Sequence, residues 1–288
     1  MHRIVRKTQL SQDVFRMEVE APLIARERKA GQFIILQIDT QIGERVPLTI
    51  ADADPGKGTI TLIFQKVGAT TTLLSQKNEG DEIAAILGPL GSPTHIEKFG
   101  HVVCVGGGIG VAPMYPIAQA MKAAGNKVTM IMGARNIGLF VMTEEMRAVA
   151  DELILITDDG SSGRKGLVTE PLKELCGQTP PPDLVVAIGP PIMMKFCALT
   201  TKPYGVKTIV SLNTIMVDGT GMCGGCRVTV GGKTKFVCVD GPEFDGHEVD
   251  FDNMMKRMRM FKPREMWAKE HFCNLMQAAD ALAAKEGK

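Results

Sequence analysis

Toward the C-terminal end the chain reads Asp218-Gly-Thr-Gly-Met-Cys223-Gly-Gly-Cys226, and eleven residues separate Cys226 from Cys238. Plant-type iron–sulfur loops space their first three ligands C-x4-C-x2-C and take a distant fourth. The spacing is kept here, but aspartate holds the first position. Glycines around the pair let backbone N–H groups approach sulfur without hindrance from a Cβ. Four-point ligation then constrains the fold, because Cys238 must return beside Cys226. The run from Cys226 to Cys238 meets that need as a hairpin turned at Gly231-Gly232. Two occupants fit the donor set Asp218, Cys223, Cys226 and Cys238: a [2Fe–2S] cluster, or a structural zinc. The spacing favours the cluster.

Upstream, the texture changes twice. Residues 1–97 carry short β-rich runs (Val14–Val19, Gln32–Ile38, Gly58–Phe64) between clusters of Pro, Gly and Asp, the pattern of a small barrel or sandwich. A short helix is expected from Thr70 to Gln76. From residue 98 to 215 the pattern is βαβ. Val102–Val105 reads as a strand buried on both faces, a helix follows over Pro113–Ala124, and Val128–Met132 is the next strand. Further strands are expected at Leu153–Ile156 and Leu184–Ile188, and helices at Thr143–Ala150, Val168–Leu175 and Pro191–Leu199. Residues 216–250 form the Cys-rich segment. Residues 251–288 read as a helical extension rich in Met, Lys and Arg, suited to docking on this chain or on a partner.

The 288 residues exceed what one core accommodates and suit two domains with an appendage. A net charge of +1 gives no electrostatic reason to expect nucleic acid or an anionic membrane as partner. No apolar run reaches transmembrane length and no signal segment opens the chain, so the expected location is cytoplasmic. Cys104, Cys176, Cys197 and Cys273 lie scattered among ordinary elements and read as small buried hydrophobes. The 18 methionines against one Trp and two Tyr imply an adaptable interior or apolar contact surfaces.

Several loops suit phosphates. Gly106-Gly107-Gly108-Ile109-Gly110 follows an expected strand and opens an expected helix, where glycines admit a pyrophosphate and helix N–H groups face it. No acidic residue ends the second strand; Arg135 stands there, a cue for a 2′-phosphate. Asp158-Asp159-Gly160 and Gly189-Pro190 follow later strands, on the edge where open α/β sheets bind ligands. Each also fits a plain polar turn. In the β-rich region, Arg45-Val-Pro47-Leu48-Thr49 and Gly68-Ala-Thr70-Thr71 offer a cation, hydroxyls and a helix start to a phosphorylated cofactor. No Ser-His-Asp set or catalytic carboxylate pair is evident.

A β-rich domain with Arg45-x-Pro-Leu-Thr49, then a Gly-rich βαβ domain, then a [2Fe–2S] loop resembles the ferredoxin–NADP reductase superfamily in order and motifs, over nearly the whole chain. The branch it resembles holds the electron-transfer subunits of dihydroorotate dehydrogenase. It also holds the small subunits of NADH-dependent reduced ferredoxin:NADP+ oxidoreductase, called sulfide dehydrogenase subunits as well. The former normally carry cysteine where this chain has Asp218; the aspartate resembles the latter.

The resemblance implies a multidomain fold: an N-terminal antiparallel β-barrel, a Rossmann-like α/β domain, and a small [2Fe–2S] subdomain with a helical tail. It implies FAD bordered by Arg45, Pro47, Leu48 and Thr49, with its pyrophosphate at Gly68, Thr70 and Thr71. It implies NAD(H), rather than NADP(H), at Gly107, Gly108 and Gly110, with Asp158, Asp159 and Gly189 lining the site. The expected function is electron transfer between NAD(H), FAD and the cluster, within an electron-bifurcating complex. The partner is then a larger flavin and [4Fe–4S] subunit, and through it ferredoxin. The alternatives are an electron-transfer subunit of dihydroorotate dehydrogenase and a zinc-stabilised regulatory binding module.

Overall fold

The structure, a computed structural model, describes residues 1–39 and 44–271. Seven strands build the N-terminal sheet: β1 (His2–Ser11), β2 (Val14–Glu20), β3 (Phe33–Gln37), β4 (Val46–Asp54), β5 (Thr59–Gln65), β6 (Glu82–Ile83) and β7 (Ala85–Leu90). Their order is β6-β1-β2-β5-β4-β3-β7, every pairing is antiparallel, and the sheet curls into a nearly closed barrel. Met17 and Val19 of β2 alternate inward with Ile34, Leu36, Ile60 and Leu62, as a period of two requires. Two short helices, α1 (Pro22–Glu27) and α2 (Ala69–Gln76), cover the barrel.

The second sheet comprises β8 (His101–Gly107), β9 (Lys127–Ala134), β10 (Glu152–Thr157), β11 (Arg164–Lys165), β12 (Leu184–Ile188) and β13 (Thr208–Ser211), parallel throughout in the order β11-β10-β9-β8-β12-β13. Helices α3 (Val111–Ala123) and α4 (Thr143–Val149) pack on one face, against Val102, Cys104 and Met130. Helices α5 (Thr169–Cys176) and α6 (Pro191–Thr201) pack on the other, against Val103, Val105 and Val185. Burial on both faces explains the continuous apolar runs in β8 and β12. Barrel residues Val14, Ala51 and Ile63 join the α3 core, so the two sheets share packed side chains.

In the last part, β14 (Arg227–Val230) and β15 (Lys233–Phe236) pair as an antiparallel hairpin, followed by the single turn α7 (Val237–Asp240). Gly231 and Gly232 both adopt positive φ (55° and 73°), which a two-residue turn matched to strand twist demands. Strand β16 (Glu243–Asp245) then adds antiparallel to β13, so the chain beyond the hairpin completes the edge of the nucleotide-type sheet. Helix α8 (Phe251–Met258), capped by the Asp250 carboxyl, buries Phe251 and Met254 in the core that also holds Cys226 and Cys238. The helical path continues to His271 with Met260, Phe261, Met266 and Trp267 exposed. The expected helix to Lys288, and Cys273 within it, lie beyond the described residues.

Candidate functional site: a cleft between the sheets and a sulfur pair beside it

A cleft of about 940 Å3 opens between the barrel and the C-terminal ends of the parallel strands. Such an edge is where open α/β sheets place ligands. The barrel contributes Pro47, Leu48 and Thr49 from β4, and Thr71 from the first turn of α2. The Thr71 hydroxyl accepts from the N–H groups of Val67 (3.0 Å) and Gly68 (3.1 Å) and so shapes the helix start. Thr70 is buried, and with exposed Arg45 and with Gly68 it stands outside the cleft wall.

From the parallel sheet come Gly107, Gly108, Gly110, Arg135, Asp158 and Gly189. At two of the glycines a side chain would run into neighbouring backbone. A Cβ on Gly110 would lie 2.3 Å from the Ile188 carbonyl oxygen, and one on Gly189 would lie 3.1 Å from the Gly107 Cα. Gly108 adopts φ +54° and faces open space, so its backbone is accessible to a ligand. A 3-10 turn over Gly108–Gly110 runs straight into α3, so the positive end of the helix dipole falls at these glycines; Val111 N–H is already bonded to the Gly108 and Ile109 carbonyls, and Pro113 has no N–H to offer. Asp159 stands outside the wall: the Ser161 hydroxyl first, and then the Ser161 N–H that donates to its carboxylate at 2.9 Å, hold it below the usual carboxylate range.

Sequence reasoning missed Phe33, Gln65, Phe196, Ser211, Asn213 and Thr214, all on the cleft wall. None sits in a Gly-rich or charged motif. The last three leave β13 and lead into the Cys-rich loop, so the same chain that lines the cleft delivers the sulfurs. The position of a strand's C-terminal end was the one available signal for them.

The hairpin does what four-point ligation asked of it. Val237 N–H donates to the Cys226 carbonyl at 3.2 Å, and the Cys226 and Cys238 sulfurs stand 3.2 Å apart, both side chains buried. Burial first, then the neighbouring sulfur, pushes up the Cys238 thiol; a cation in place of the proton relieves both effects. A tetrahedral metal with bonds of about 2.3 Å separates two thiolates by roughly 3.8 Å, so the pair needs only a small opening. Backbone N–H groups already address sulfur: Gly221 toward Cys238, and Gly225 to Cys223 at 3.4 Å.

The other half of the set is more open. Cys223 is exposed, and the Asp218 carboxylate accepts from the N–H groups of Thr220 (2.9 Å) and Cys223 (2.8 Å). The Thr220 bond, ahead of the Cys223 one, lowers the Asp218 pKa. Among the described residues no three His, Cys, Asp or Glu side chains already close around a metal position. The structure thus brings Cys226 and Cys238 together, and leaves Asp218 and Cys223 on one loop beside them whose Gly219 and Gly221 adopt positive φ. The donor chemistry, the sulfur pair and the directed N–H groups fit an iron–sulfur centre.

Comparison with known proteins bears on both sites. Residues 213–250 match the iron–sulfur cluster binding domain of dihydroorotate dehydrogenase B. Residues 104–198 match the oxidoreductase NAD-binding domain. An electron transfer subunit homolog of dihydroorotate dehydrogenase B from Thermotoga maritima is 47% identical over 94% of this chain and 95% of its own. The chain belongs to the dihydroorotate dehydrogenase B electron transfer subunit family. A member from Caldanaerobacter subterraneus is 32% identical over 86% of this chain and 97% of its own. A solved chain of the NADH-dependent reduced ferredoxin-NADP oxidoreductase, described for flavin-based electron bifurcation, superimposes with a TM-score of 0.89. It shares 46% identity over 95% of this chain and 98% of its own. The cytochrome b5 reductase domain of Ulva prolifera nitrate reductase, 17% identical with a TM-score of 0.59, shares the fold. Members of the family are electron-transfer subunits of oxidoreductases, so a partner subunit belongs to the system. Among the described residues no helix is long and apolar enough to cross a membrane.

Proposed function

We propose that this chain passes electrons between NAD(H), FAD and a [2Fe–2S] cluster, to or from a larger flavin and [4Fe–4S] subunit of a bifurcating ferredoxin:NADP+ oxidoreductase. The observation that carries the reading is the continuity of one cleft. Its wall runs from the barrel, past the Gly107–Gly110 loop, to Asn213 and Thr214 at the head of the Cys-rich segment.

The chain's own residues bind and orient. Pro47, Leu48 and Thr49 would border the flavin ring, and the α2 start would meet its pyrophosphate through Thr71 and the backbone at Gly68, the Thr70 hydroxyl being buried outside the cleft wall. Gly107, Gly108, Gly110 and the first turn of α3 would receive the dinucleotide phosphates. Asp158 on the wall is the carboxylate suited to accept from a ribose hydroxyl, which supports NAD(H); Asp159 and Gly189 shape that loop edge. Exposed Arg45, one residue before β4, would offer a cation to a phosphate. Asp218, Cys223, Cys226 and Cys238 would hold the cluster. Bound flavin supplies the conversion between a two-electron hydride and single-electron transfers.

Flavin and metal analysis of the purified chain, with sequencing of its copurifying partner, tests the reading. One FAD, about two irons per chain and a partner with [4Fe–4S] motifs support it. A second reading, the electron-transfer subunit of dihydroorotate dehydrogenase, takes support from relatives bearing that name. Copurification with a flavin mononucleotide dehydrogenase lacking [4Fe–4S] centres would select it.

A further inference from the structure

The segment after Cys238 is stitched to both larger domains. Ser92 N–H, just past the end of β7, donates to the Gly241 carbonyl at 2.7 Å, and Leu212 N–H donates to the Pro242 carbonyl at 2.9 Å. Ser211 pairs with Glu243 across β13 and β16. At the centre, the buried Thr94 hydroxyl donates to a Glu243 carboxyl oxygen at 2.5 Å. Gly31 closes over this contact from the barrel: a Cβ there would fall 2.3 Å from the Thr94 hydroxyl and 2.9 Å from the carboxyl. Three parts of the chain therefore meet on one side-chain hydrogen bond, five residues beyond a candidate cluster ligand.

We propose that Glu243 is a positioning residue: through Thr94 it fixes the cluster segment against the flavin barrel, and loss of its proton loosens that seam. The inference rests on the cofactor reading above. A carboxylate enclosed with one hydroxyl donor lacks the hydration an ion needs, so ionisation favours an opened seam that admits water. Although the residue as a whole is half-buried, packing around the carboxyl pushes its pKa from 4.5 up to about 7, against the opposing effect of the Thr94 bond. Other titratable groups stand around it. Cys104 of β8 feels its charge. Lys29 and His95 share with Thr94 the wall of a second cavity, and His95 pairs with Glu97. Asp245, further along β16, accepts from His247 N–H. Burial and the Thr94 hydroxyl are what set the proton affinity of Glu243.

Sign and size follow from linkage. The closed seam holds the proton more tightly than an opened one, so closure weakens as pH rises, by at most about tenfold between pH 6 and 8. Hydrogen exchange on the cofactor-loaded protein reads this directly at the Ser92 and Leu212 amides. After correction for intrinsic exchange, wild type should lose up to tenfold protection across that interval. Glu243→Gln, which keeps an acceptor but cannot ionise, should lose none, and Thr94→Val should be poorly protected at both values. The stopped-flow rate of NADH-driven cluster reduction should follow the same pattern. Identical pH profiles for wild type and Glu243→Gln, or full protection in Thr94→Val, would overturn the proposal. A preparation without flavin or iron defeats the cofactor reading instead, and the exchange measurement tells the two failures apart.

Discussion

The sulfurs of Cys226 and Cys238 face each other at 3.2 Å across a hairpin turned at two positive-φ glycines. Twelve positions apart in sequence, they meet because the register pairs Arg227 with Phe236 and Val230 with Lys233. The pair forms the rigid half of the proposed cluster site. Cys226→Ser or Cys238→Ser should cut iron to less than half of the wild-type content, measured by metal analysis with the visible spectrum. Cys104→Ser, in the α3 core and not in the core that holds Cys226 and Cys238, should leave iron unchanged.

Asp218 has two tasks to separate. Its carboxylate braces the loop through Thr220 and Cys223 N–H groups, and it stands where a first ligand belongs. Asp218→Asn keeps an acceptor for those bonds but is a poorer ligand, whereas Asp218→Ala removes both. Asp218→Cys should assemble a cluster with a shifted reduction potential, read by potentiometric titration. Asp218→Ala should lose iron or shift the potential; unchanged content and potential would show that Asp218 is no ligand.

Glycine clearances rank the dinucleotide loop. Gly110→Ala drives a Cβ against the rigid Ile188 backbone, while Gly107→Ala meets chiefly the flexible Met193 side chain, at 2.3 Å. Gly110→Ala should therefore cost on the order of 1–3 kcal/mol by urea denaturation and weaken NADH binding. Gly107→Ala should cost less on the first measure.

Legibility varied with the physics of each element. Val102–Val105 and Leu184–Ile188 were readable because strands buried on both faces leave unbroken apolar runs. The hairpin was readable because its turn demands glycines. Strand β1, whose residues are mostly not buried, carries no such run, and β16 is three residues whose place depends on β13. The phosphate loops were legible as glycines. Phe33, Gln65 and Asn213 were not, since they reach the cleft only through tertiary folding. Thr70 illustrates the converse: a residue in the right motif that packing buries outside the cleft wall.

Glu243 also sets a stability trend. Its carboxyl holds a proton more tightly folded (about 7) than at its ordinary value of 4.5. The stability this contributes is complete below pH 4.5 and is lost as pH rises through about 7. Allowing for partial solvent contact, the loss is at most about 2 kcal/mol. Thermal melting should show Glu243→Gln gaining on wild type at pH 8, with the gain shrinking toward pH 5.

The most direct test of the central claim is an anaerobic NADH titration of the purified chain, followed by visible absorption and electron paramagnetic resonance. NADH should bleach the flavin and raise the one-electron signal of a reduced [2Fe–2S] centre, from protein holding about two irons per chain. A colourless protein with one zinc per chain and no response to NADH would contradict it.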